Sequence, residues 1–260
     1  MGILNYTPNS FFDGGKYNTI KNALKQIDNM LIDGADIIDI GAISSKPGSK
    51  TLSLKDEKER LLPLFYELSK NFNNIVFSLD TFRSEIAKQF VNDFGVSIIN
   101  DISAGELDSS MFNTISELNV PYIIMHMKGT PENMQNNPNY KKAVELEIIE
   151  YFAEKIDKLK LLGVNDVIID PGFGFGKTIE HNYRLLNKLD SFKIVDLPLL
   201  VGVSRKSMIN KLLNISPNEA LNGTTVVNTL ALQKGANILR VHDVKEAVQA
   251  INIIKMMKNS

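Results

Sequence analysis

Residues 34–41 read Gly-Ala-Asp-Ile-Ile-Asp-Ile-Gly, a glycine followed by a short apolar run that ends in polar residues. Continuous runs rich in Ile, Val and Leu are typical of parallel strands that are covered on both faces. A glycine just ahead of such a run suits the left-handed stop of a preceding helix. The stretch therefore predicts the passage from a helix into a buried parallel strand, with Asp39 near the end of that strand.

The same pattern recurs along the chain. Eight short apolar runs each precede a stretch with helical spacing, and they cover residues 1–5, 36–41, 75–81, 96–101, 122–128, 167–174, 199–206 and 236–242. Eight strand–helix units are what a closed (β/α)8 barrel needs, and the 260 residues are close to the usual barrel size of about 250. We predict an α/β fold, a single-domain (β/α)8 TIM barrel over residues 1–260 without an N-terminal plug hairpin.

Helical spacing is clearest in the intervening segments at residues 20–31, 57–70, 85–94, 108–118, 143–162, 182–189 and 226–234. Gly34, Gly95, Gly163 and Gly235 each come after such a segment and before a predicted strand. Glycine adopts the left-handed conformation of a helix stop without strain. We therefore interpret these glycines as helix terminators with no catalytic role.

The composition limits the classes of function. Hydrophobic residues make up 43% of the chain, and 29 basic against 30 acidic residues leave a net charge of −1. Because no basic block is present, we expect no nucleic-acid partner. No signal-peptide pattern is visible and no apolar run approaches the roughly 20 residues of a membrane span, so we expect a cytoplasmic enzyme without a membrane partner. The absence of cysteine excludes thiolate nucleophiles and agrees with a reducing compartment.

The predicted strand ends are polar, and in a TIM barrel the chemistry lies where the strands end. The residues there are Asn5, Asp39, Asp80, Thr81, Asn100, Asp101, His126, Lys128, Asp170, Ser204, Arg205, Lys206, Arg240 and His242. Three long polar connections, at 6–18, 42–54 and 129–140, would lie on the same face. Loops of this length in a compact domain tend to be lids or binding loops. We therefore expect them to border one polar pocket.

Two glycine-rich patterns resemble nucleotide-binding motifs but lack the spacing that those motifs need. Gly176-Lys177-Thr178 ends like a phosphate-binding loop, but Pro171 stands where that motif needs its first glycine. Residues 172–176 also lack the dinucleotide spacing. We interpret them as a tight turn after a strand that brings the backbone close to a ligand.

The histidines and Lys206 have competing interpretations. His126 and His242 end strands without a third ligand at metal spacing, and His181 is expected at the start of a surface helix. Lys206 could form a Schiff base, as barrel lysines at strand ends do. Its polar neighbours, residues 204–207, would solvate an ammonium and favour a charged binding lysine. The sequence leaves that choice open.

A set of motifs runs through the whole chain, one for each predicted strand. Residues 10–15 read Ser-Phe-Phe-Asp-Gly-Gly, 125–131 read Met-His-Met-Lys-Gly-Thr-Pro, and 169–177 read Ile-Asp-Pro-Gly-Phe-Gly-Phe-Gly-Lys. The others lie at 1–5, 7–8, 34–41, 44–48, 78–81, 99–102, 202–207 and 240–244. In this order and spacing the set resembles the dihydropteroate synthase family, whose fold is a pterin-binding TIM barrel.

The resemblance implies a transferase of folate biosynthesis. Such an enzyme joins 6-hydroxymethyl-7,8-dihydropterin diphosphate to 4-aminobenzoate and gives 7,8-dihydropteroate and diphosphate. The resemblance also implies a Mg²⁺ cofactor, these small molecules as partners, and a homodimer, for which the residues themselves give no independent support. We expect a dissociative, SN1-like step in which the pterin ring delocalises the cation, so that no protein nucleophile is needed.

The family's functional residues carry over position by position. The pterin pocket falls on Asp80, Asn100, Asp170 and Lys206. The diphosphate site falls on Asn5, Ser45, Arg240 and His242, with Asn5 as the magnesium contact. The 4-aminobenzoate site falls on Phe11, Ser45, Pro47, Lys206 and Ser207. Catalytic roles fall on Lys206, Arg240, His242, Asp13 and Lys46.

These residue types suit those ligands. Asp80 and Asp170 could each accept hydrogen bonds from adjacent N–H groups of the pterin's 2-amino-pyrimidinone edge. Asn100 can both donate and accept, and Lys206 can donate to the ring carbonyl or to N5. The arginine and histidine at the end of the last strand could stabilise the charge that grows on the departing diphosphate.

Three positions depart from the family pattern. Asn9 stands where Asp is usual, Lys46 where Arg is usual, and Ile43 where many members have Glu. Two alternatives to the synthase stay open: a pterin-binding methyltransferase barrel and a catalytically silent pterin-binding homologue. Residues 47–48, 204–207 and 240–242, interpreted as diphosphate and amine machinery, favour the synthase over the methyltransferase.

Overall fold

Eight strands alternate with helices in the computed structural model, which describes residues 1–7, 20–42, 52–134 and 138–260. The strands are β1 Gly2–Asn5, β2 Ile37–Gly41, β3 Val76–Asp80, β4 Ile98–Asp101, β5 Tyr122–Met125, β6 Val167–Asp170, β7 Leu200–Val201 and β8 Ile238–Leu239. All eight lie inside the predicted apolar runs. The last two are short, with two residues each.

The helices lie outside the sheet and lead from one strand to the next. They are α1 Ile20–Ile32, α2 Leu54–Asn71, α3 Ser84–Phe94, α4 Met111–Leu118, α5 Val144–Leu161, α6 Ile179–Asn187, α7 Ser207–Leu213, α8 Leu221–Gln233 and α9 Val244–Asn259. Short 3-10 helices occur at Leu189–Val195 and Pro217–Glu219. No helix in the described ranges is long and apolar enough to cross a membrane.

The strands close into a ring. β1 to β6 pair in parallel in sequence order, and β7 pairs with β8. Parallel bridges between Ile169 and Leu199 and between Gly2 and Val241 join these two sheets at both edges. The predicted (β/α)8 barrel is therefore confirmed, and a closed barrel leaves no sheet edge exposed.

Two apolar layers and one polar layer explain where a ligand can bind. The main core packs the outer faces of the strands, such as Leu4 and Ile40, against helix residues such as Phe65 and Phe152. A separate cluster fills the floor of the barrel interior: Met1, Ile37, Ile98, Ile123, Ile168, Leu200 and Ile238. Because these side chains come from the starts of the strands, the polar residues at the strand ends line the open mouth.

The helix ends follow the predicted glycine stops. Gly34, Gly95, Gly163 and Gly235 have φ values of 96°, 67°, 79° and 107°, in the left-handed region that favours glycine. At Gly95 the backbone N–H donates to the carbonyls of Phe90 and Val91 and closes α3. These glycines end helices as predicted.

Two helix starts lie three residues before their predicted positions. Ser53 accepts from the N–H of Asp56, and Thr178 accepts from the N–H of His181. Each hydroxyl satisfies an otherwise unpaired N–H of the first turn. The caps therefore extend α2 and α6 toward the N-terminus, and His181 lies in the first turn of α6, as predicted.

Candidate active site

The row of strand ends at the barrel mouth is set by the register of the sheet. Asn5 pairs with Gly41, Gly41 with Asp80, and Asp80 with Asn100. Four neighbouring strands therefore end at one level. A Cβ on Gly41 would lie 3.1 Å from the Cβ of Asp80, so a glycine at the end of β2 leaves room for that aspartate.

Asp39 lies in β2 and is completely buried. Its Oδ1 accepts from the hydroxyl of Ser78 at 2.6 Å, and its Oδ2 accepts from the amide of Asn100 at 3.1 Å. Arg240 donates to the same Oδ2 from Nε at 2.7 Å and Nη2 at 2.6 Å. Both carboxylate oxygens are therefore occupied by protein donors, so Asp39 holds other pocket residues and has no free oxygen for a ligand.

Asp80 ends β3 and shares Arg240 with Asp39. The Nη2 of Arg240 donates to Oδ2 of Asp80 at 2.9 Å. Burial raises the pKa of Asp80 to about 7; the guanidinium of Arg240 opposes this shift and the carboxylate of Asp39 reinforces it. One arginine therefore neutralises two neighbouring carboxylates only in part.

Asp170 and Lys206 form the opposite side of the same pocket. Oδ1 of Asp170 accepts from the N–H of Gly172 at 2.8 Å, and burial raises the pKa of this carboxyl. Nζ of Lys206 donates to the carbonyl of Phe173 at 2.5 Å and lies 4.7 Å from the centre of the Phe175 ring. Burial lowers the pKa of Lys206 to about 8, and the Asp170 carboxylate opposes that shift.

Arg205 does not face this pocket. It has φ 55° and its guanidinium donates to both oxygens of Asp243, at 2.9 and 2.7 Å, and to the carbonyls of Pro217 and Asn218. The prediction that included Arg205 in the diphosphate machinery and in the solvation of Lys206 is therefore wrong. Its left-handed backbone turns its side chain toward the start of α9.

The remaining predicted residues of the last two strands lie beside one another. The backbone N–H of His242 donates to the hydroxyl of Ser204 at 3.2 Å, and Nδ1 of His242 is 3.1 Å from the same oxygen. Ser207 is the exposed first residue of α7. The predicted roles of these residues with ligands stay predictions, as does the role of Asn5.

Several predicted residues lie outside the described part of the chain. These are Phe11, Asp13, Ser45, Lys46 and Pro47, together with the departures at Asn9 and Ile43. Within the described ranges no group of three or more His, Asp or Glu side chains could hold a metal ion.

The structure does bring the predicted pterin residues together. The charge of Arg240 acts on Asp39, Asp80 and Asp170, and Asp170 acts on Lys206. Two residues have contacts that the sequence patterns do not predict: Asp39, which stands among the strand-end residues, and Lys177, which follows the glycine-rich turn. An aspartate inside an otherwise apolar strand was the signal for the first.

The fold, the mouth and this set of charges define a barrel enzyme with a polar pocket at the strand ends. A sequence profile of the pterin-binding enzyme family matches residues 1–242. The chain belongs to this family.

Individual relatives agree in sequence and in fold. A dihydropteroate synthase of Escherichia coli K12 is 41% identical over 98% of this chain and 90% of its own length. A Yersinia pestis dihydropteroate synthase in complex with a sulfonamide drug superposes with a TM-score of 0.95 at 38% identity, over 100% of this chain and 94% of that one. A Clostridium difficile dihydropteroate synthase, in the presence of pteroic acid, has a TM-score of 0.91 at 34% identity, covering 99% and 95%. The predicted family, fold class and enzyme assignment are confirmed.

Proposed function

We propose that this chain is a dihydropteroate synthase of folate biosynthesis. It transfers the pterinylmethyl group of 6-hydroxymethyl-7,8-dihydropterin diphosphate to the amine of 4-aminobenzoate. The observation that carries the proposal is the pocket at the barrel mouth. There Arg240 donates to Asp80 and to Asp39, Asn100 donates to the same Asp39, and the charges of Asp170 and Lys206 act on Arg240 and on each other. Relatives that match nearly the whole chain bear this name.

Pterin recognition uses the carboxylates on the two sides of the pocket. Oδ1 of Asp170 is already bonded to Gly172, which orients Oδ2 for adjacent N–H donors of the pterin. Asn100 has its amide N–H₂ on Asp39, so its carbonyl oxygen is the atom that faces a ligand. Lys206 supplies a donor for a ring acceptor. A buried site of this kind rejects analogues that lack the matching groups by a factor of about 10⁴.

The reaction breaks the bond between the pterin methylene carbon and the diphosphate oxygen, and the electron pair leaves with the diphosphate. Arg240 and His242 stabilise the charge that grows on this leaving group. The amine nitrogen of 4-aminobenzoate then bonds to the methylene cation and loses one proton. Phe11, Ser45, Pro47 and Ser207 bind the 4-aminobenzoate, and Asp13 and Lys46 assist the catalysis, as the family resemblance implies.

A magnesium ion fits this site only together with the substrate. Asn5 is the one predicted metal contact, and it supplies a single neutral oxygen at the end of β1. Mg²⁺ in proteins keeps several waters and is commonly bound by one or two side chains plus substrate phosphates. Asn5 and the diphosphate would hold the ion, which when bound would neutralise charge on the leaving group.

The assembly and location of the enzyme belong to the same proposal. Leu213 on α7 and Val226 and Leu230 on α8 are exposed large apolar side chains. A Cβ at Gly223 in the first turn of α8 would lie 3.0 Å from Cδ1 of Leu213, so α7 and α8 pack closely there. They support a homodimer in which this surface meets a second copy. The absence of cysteine suits a cytoplasmic enzyme.

The test is diphosphate release in the presence of Mg²⁺ and both substrates. Wild-type protein should release diphosphate only when 4-aminobenzoate is added, in a one-to-one ratio with 7,8-dihydropteroate. The matched control is Asp170→Asn, which keeps the size of the side chain and should lose most of the rate. Pterin binding without diphosphate release would show a catalytically silent homologue and would overturn the proposal.

A further inference from the structure

Lys177 directly follows the glycine-rich turn at residues 172–176, and its side chain is buried. Nζ donates to the carbonyls of Gly172 at 2.8 Å and Phe175 at 3.0 Å and lies 3.0 Å from Nδ1 of His126. Among the described residues Lys177 forms no salt bridge, and the Asp170 carboxylate acts on its charge only from a longer distance. A buried amine without an ion-pair partner is costly, so these hydrogen bonds have to compensate for its burial.

The turn that Lys177 holds is pressed against the end of β5. Gly172 has φ 71°, and a Cβ there would lie 2.0 Å from the carbonyl oxygen of His126. Gly176 has φ 61°, and a Cβ there would lie 2.5 Å from the carbonyl oxygen of Lys128. Backbone this close admits only glycine. Phe173 and Phe175 of the same turn have buried side chains, and Nζ of Lys177 holds the backbone of the turn by donating to the carbonyls of Gly172 and Phe175.

The same turn orients two residues of the pterin pocket. The N–H of Gly172 is bonded to Oδ1 of Asp170 at 2.8 Å. The carbonyl of Phe173 accepts from Nζ of Lys206, and the ring of Phe175 lies below that nitrogen. Asp170 and Lys206 therefore take their orientation from backbone and aromatic groups of a turn whose own carbonyls are held by Lys177.

We propose that Lys177 and His126 are positioning residues for pterin binding, which fix the turn at residues 172–176 and through it Asp170 and Lys206. The proposal rests on the pterin site proposed above. Neither residue touches the ligand. Lys177 holds the turn from inside, and His126 links it to the end of β5 through its ring nitrogen and its backbone carbonyl.

The primary variant is Lys177→Met, which keeps the length of the side chain and removes its nitrogen. The matched control is Lys142→Met on the surface, where Nζ pairs with Glu150. The first readout is hydrogen exchange of the Gly172 amide, measured by NMR without any ligand. Lys177→Met should raise this exchange rate about tenfold, the effect of one weakened hydrogen bond, while Lys142→Met leaves it unchanged.

The second readout separates positioning from general damage. Lys177→Met should raise KM for the dihydropterin diphosphate about tenfold and change kcat much less, as expected when binding common to ground and transition state is lost. His126→Asn places an amide atom where Nδ1 was and should restore most of the affinity, whereas His126→Leu should not. These two His126 variants test the positioning role even if Lys177→Met does not fold.

The outcomes distinguish this inference from the proposed function. Unchanged Gly172 exchange in Lys177→Met, or equal KM values for His126→Asn and His126→Leu, would overturn the positioning role. A wild-type chain that binds no pterin would overturn the proposed function, while the Gly172 exchange would still report on Lys177.

Discussion

The guanidinium of Arg240 rests on the buried carboxylate of Asp39, with Nε 2.7 Å and Nη2 2.6 Å from Oδ2. The pair joins β2 to the end of β8 across the barrel mouth, and Nη2 then reaches on to Asp80 at 2.9 Å. Because both oxygens of Asp39 accept from protein donors, Asp39 anchors the arginine, and we expect Asp80 to be the carboxylate of this pair that binds a ligand.

Asp39→Asn should therefore weaken the contact that holds the guanidinium of Arg240 in place. Replacing one partner of a buried pair leaves an uncompensated charge, and breaking such pairs costs about 3–5 kcal/mol. We expect a loss of about 3 kcal/mol in the free energy of unfolding, measured by urea denaturation. Ser78→Ala, which removes only the hydroxyl on the other oxygen, should cost about 1 kcal/mol. Equal losses would show that Arg240 contributes little to the stability of this cluster.

Asp170→Asn should weaken pterin binding by about 10- to 100-fold, the effect of a lost hydrogen bond to a charged acceptor. One acceptor oxygen becomes a donor that faces the donors of the ligand or the N–H of Gly172. Isothermal titration calorimetry with 6-hydroxymethyl-7,8-dihydropterin measures the change. An affinity within twofold of wild type would remove Asp170 from the pocket.

Pterin affinity should depend on pH with a maximum. Asp80 accepts from a ligand only when ionised, and its raised pKa of about 7 makes the affinity fall as the pH drops below that value. Lys206 serves as a charged donor below its lowered pKa of about 8, so the affinity falls again above that pH. Calorimetry between about pH 6 and about pH 9, a range that includes both pKa values, should show the affinity falling on the acid side and on the basic side.

The predicted fall in pterin affinity at low pH has its own control variant. Asp80→Asn cannot ionise, so the remaining pterin affinity of that variant should no longer fall below pH about 7. If the affinity of Asp80→Asn still fell at low pH, a different group would be responsible for the fall.

Gly172→Ala should be far more damaging than an alanine at an unobstructed glycine. Gly95 has φ 67° and no atom within 4 Å of the place a Cβ would take, whereas at Gly172 the Cβ would lie 2.0 Å from the carbonyl oxygen of His126. Gly95→Ala should cost the left-handed penalty of about 1–2 kcal/mol. Gly172→Ala should cost at least about 2 kcal/mol more, because backbone has to move. Urea denaturation of both variants tests the difference.

The exposed surface of α7 and α8 should carry a dimer contact. Val226→Glu places a charge on the exposed side of α8, one turn before Leu230, and should shift the mass in light scattering from twice 29.0 kDa toward 29.0 kDa. Leu161→Glu is the control, since Leu161 is exposed at the end of α5 and lies on a different helix. A wild-type protein of 29.0 kDa would contradict the homodimer.

The sequence predicted the barrel because each layer of the fold has a local signature. Buried parallel strands are continuous apolar runs, and helix stops need glycine, so the eight strands and the four glycine stops were correct. Two helix starts were placed three residues late, because the hydroxyl caps at Ser53 and Thr178 precede the apolar spacing on which the helices were predicted.

The sequence alone also determined where the strands end, and the end of a strand fixes a level in the barrel. The tertiary structure decided what each side chain does there. Arg205 and Lys206 are adjacent, yet a left-handed backbone sends Arg205 to Asp243 and leaves Lys206 beside Asp170. Asp39 and Asp80 both lie in neighbouring strands, but only the first is saturated by donors. Such differences arise from contacts between residues far apart in the chain, which no local pattern of residue types encodes.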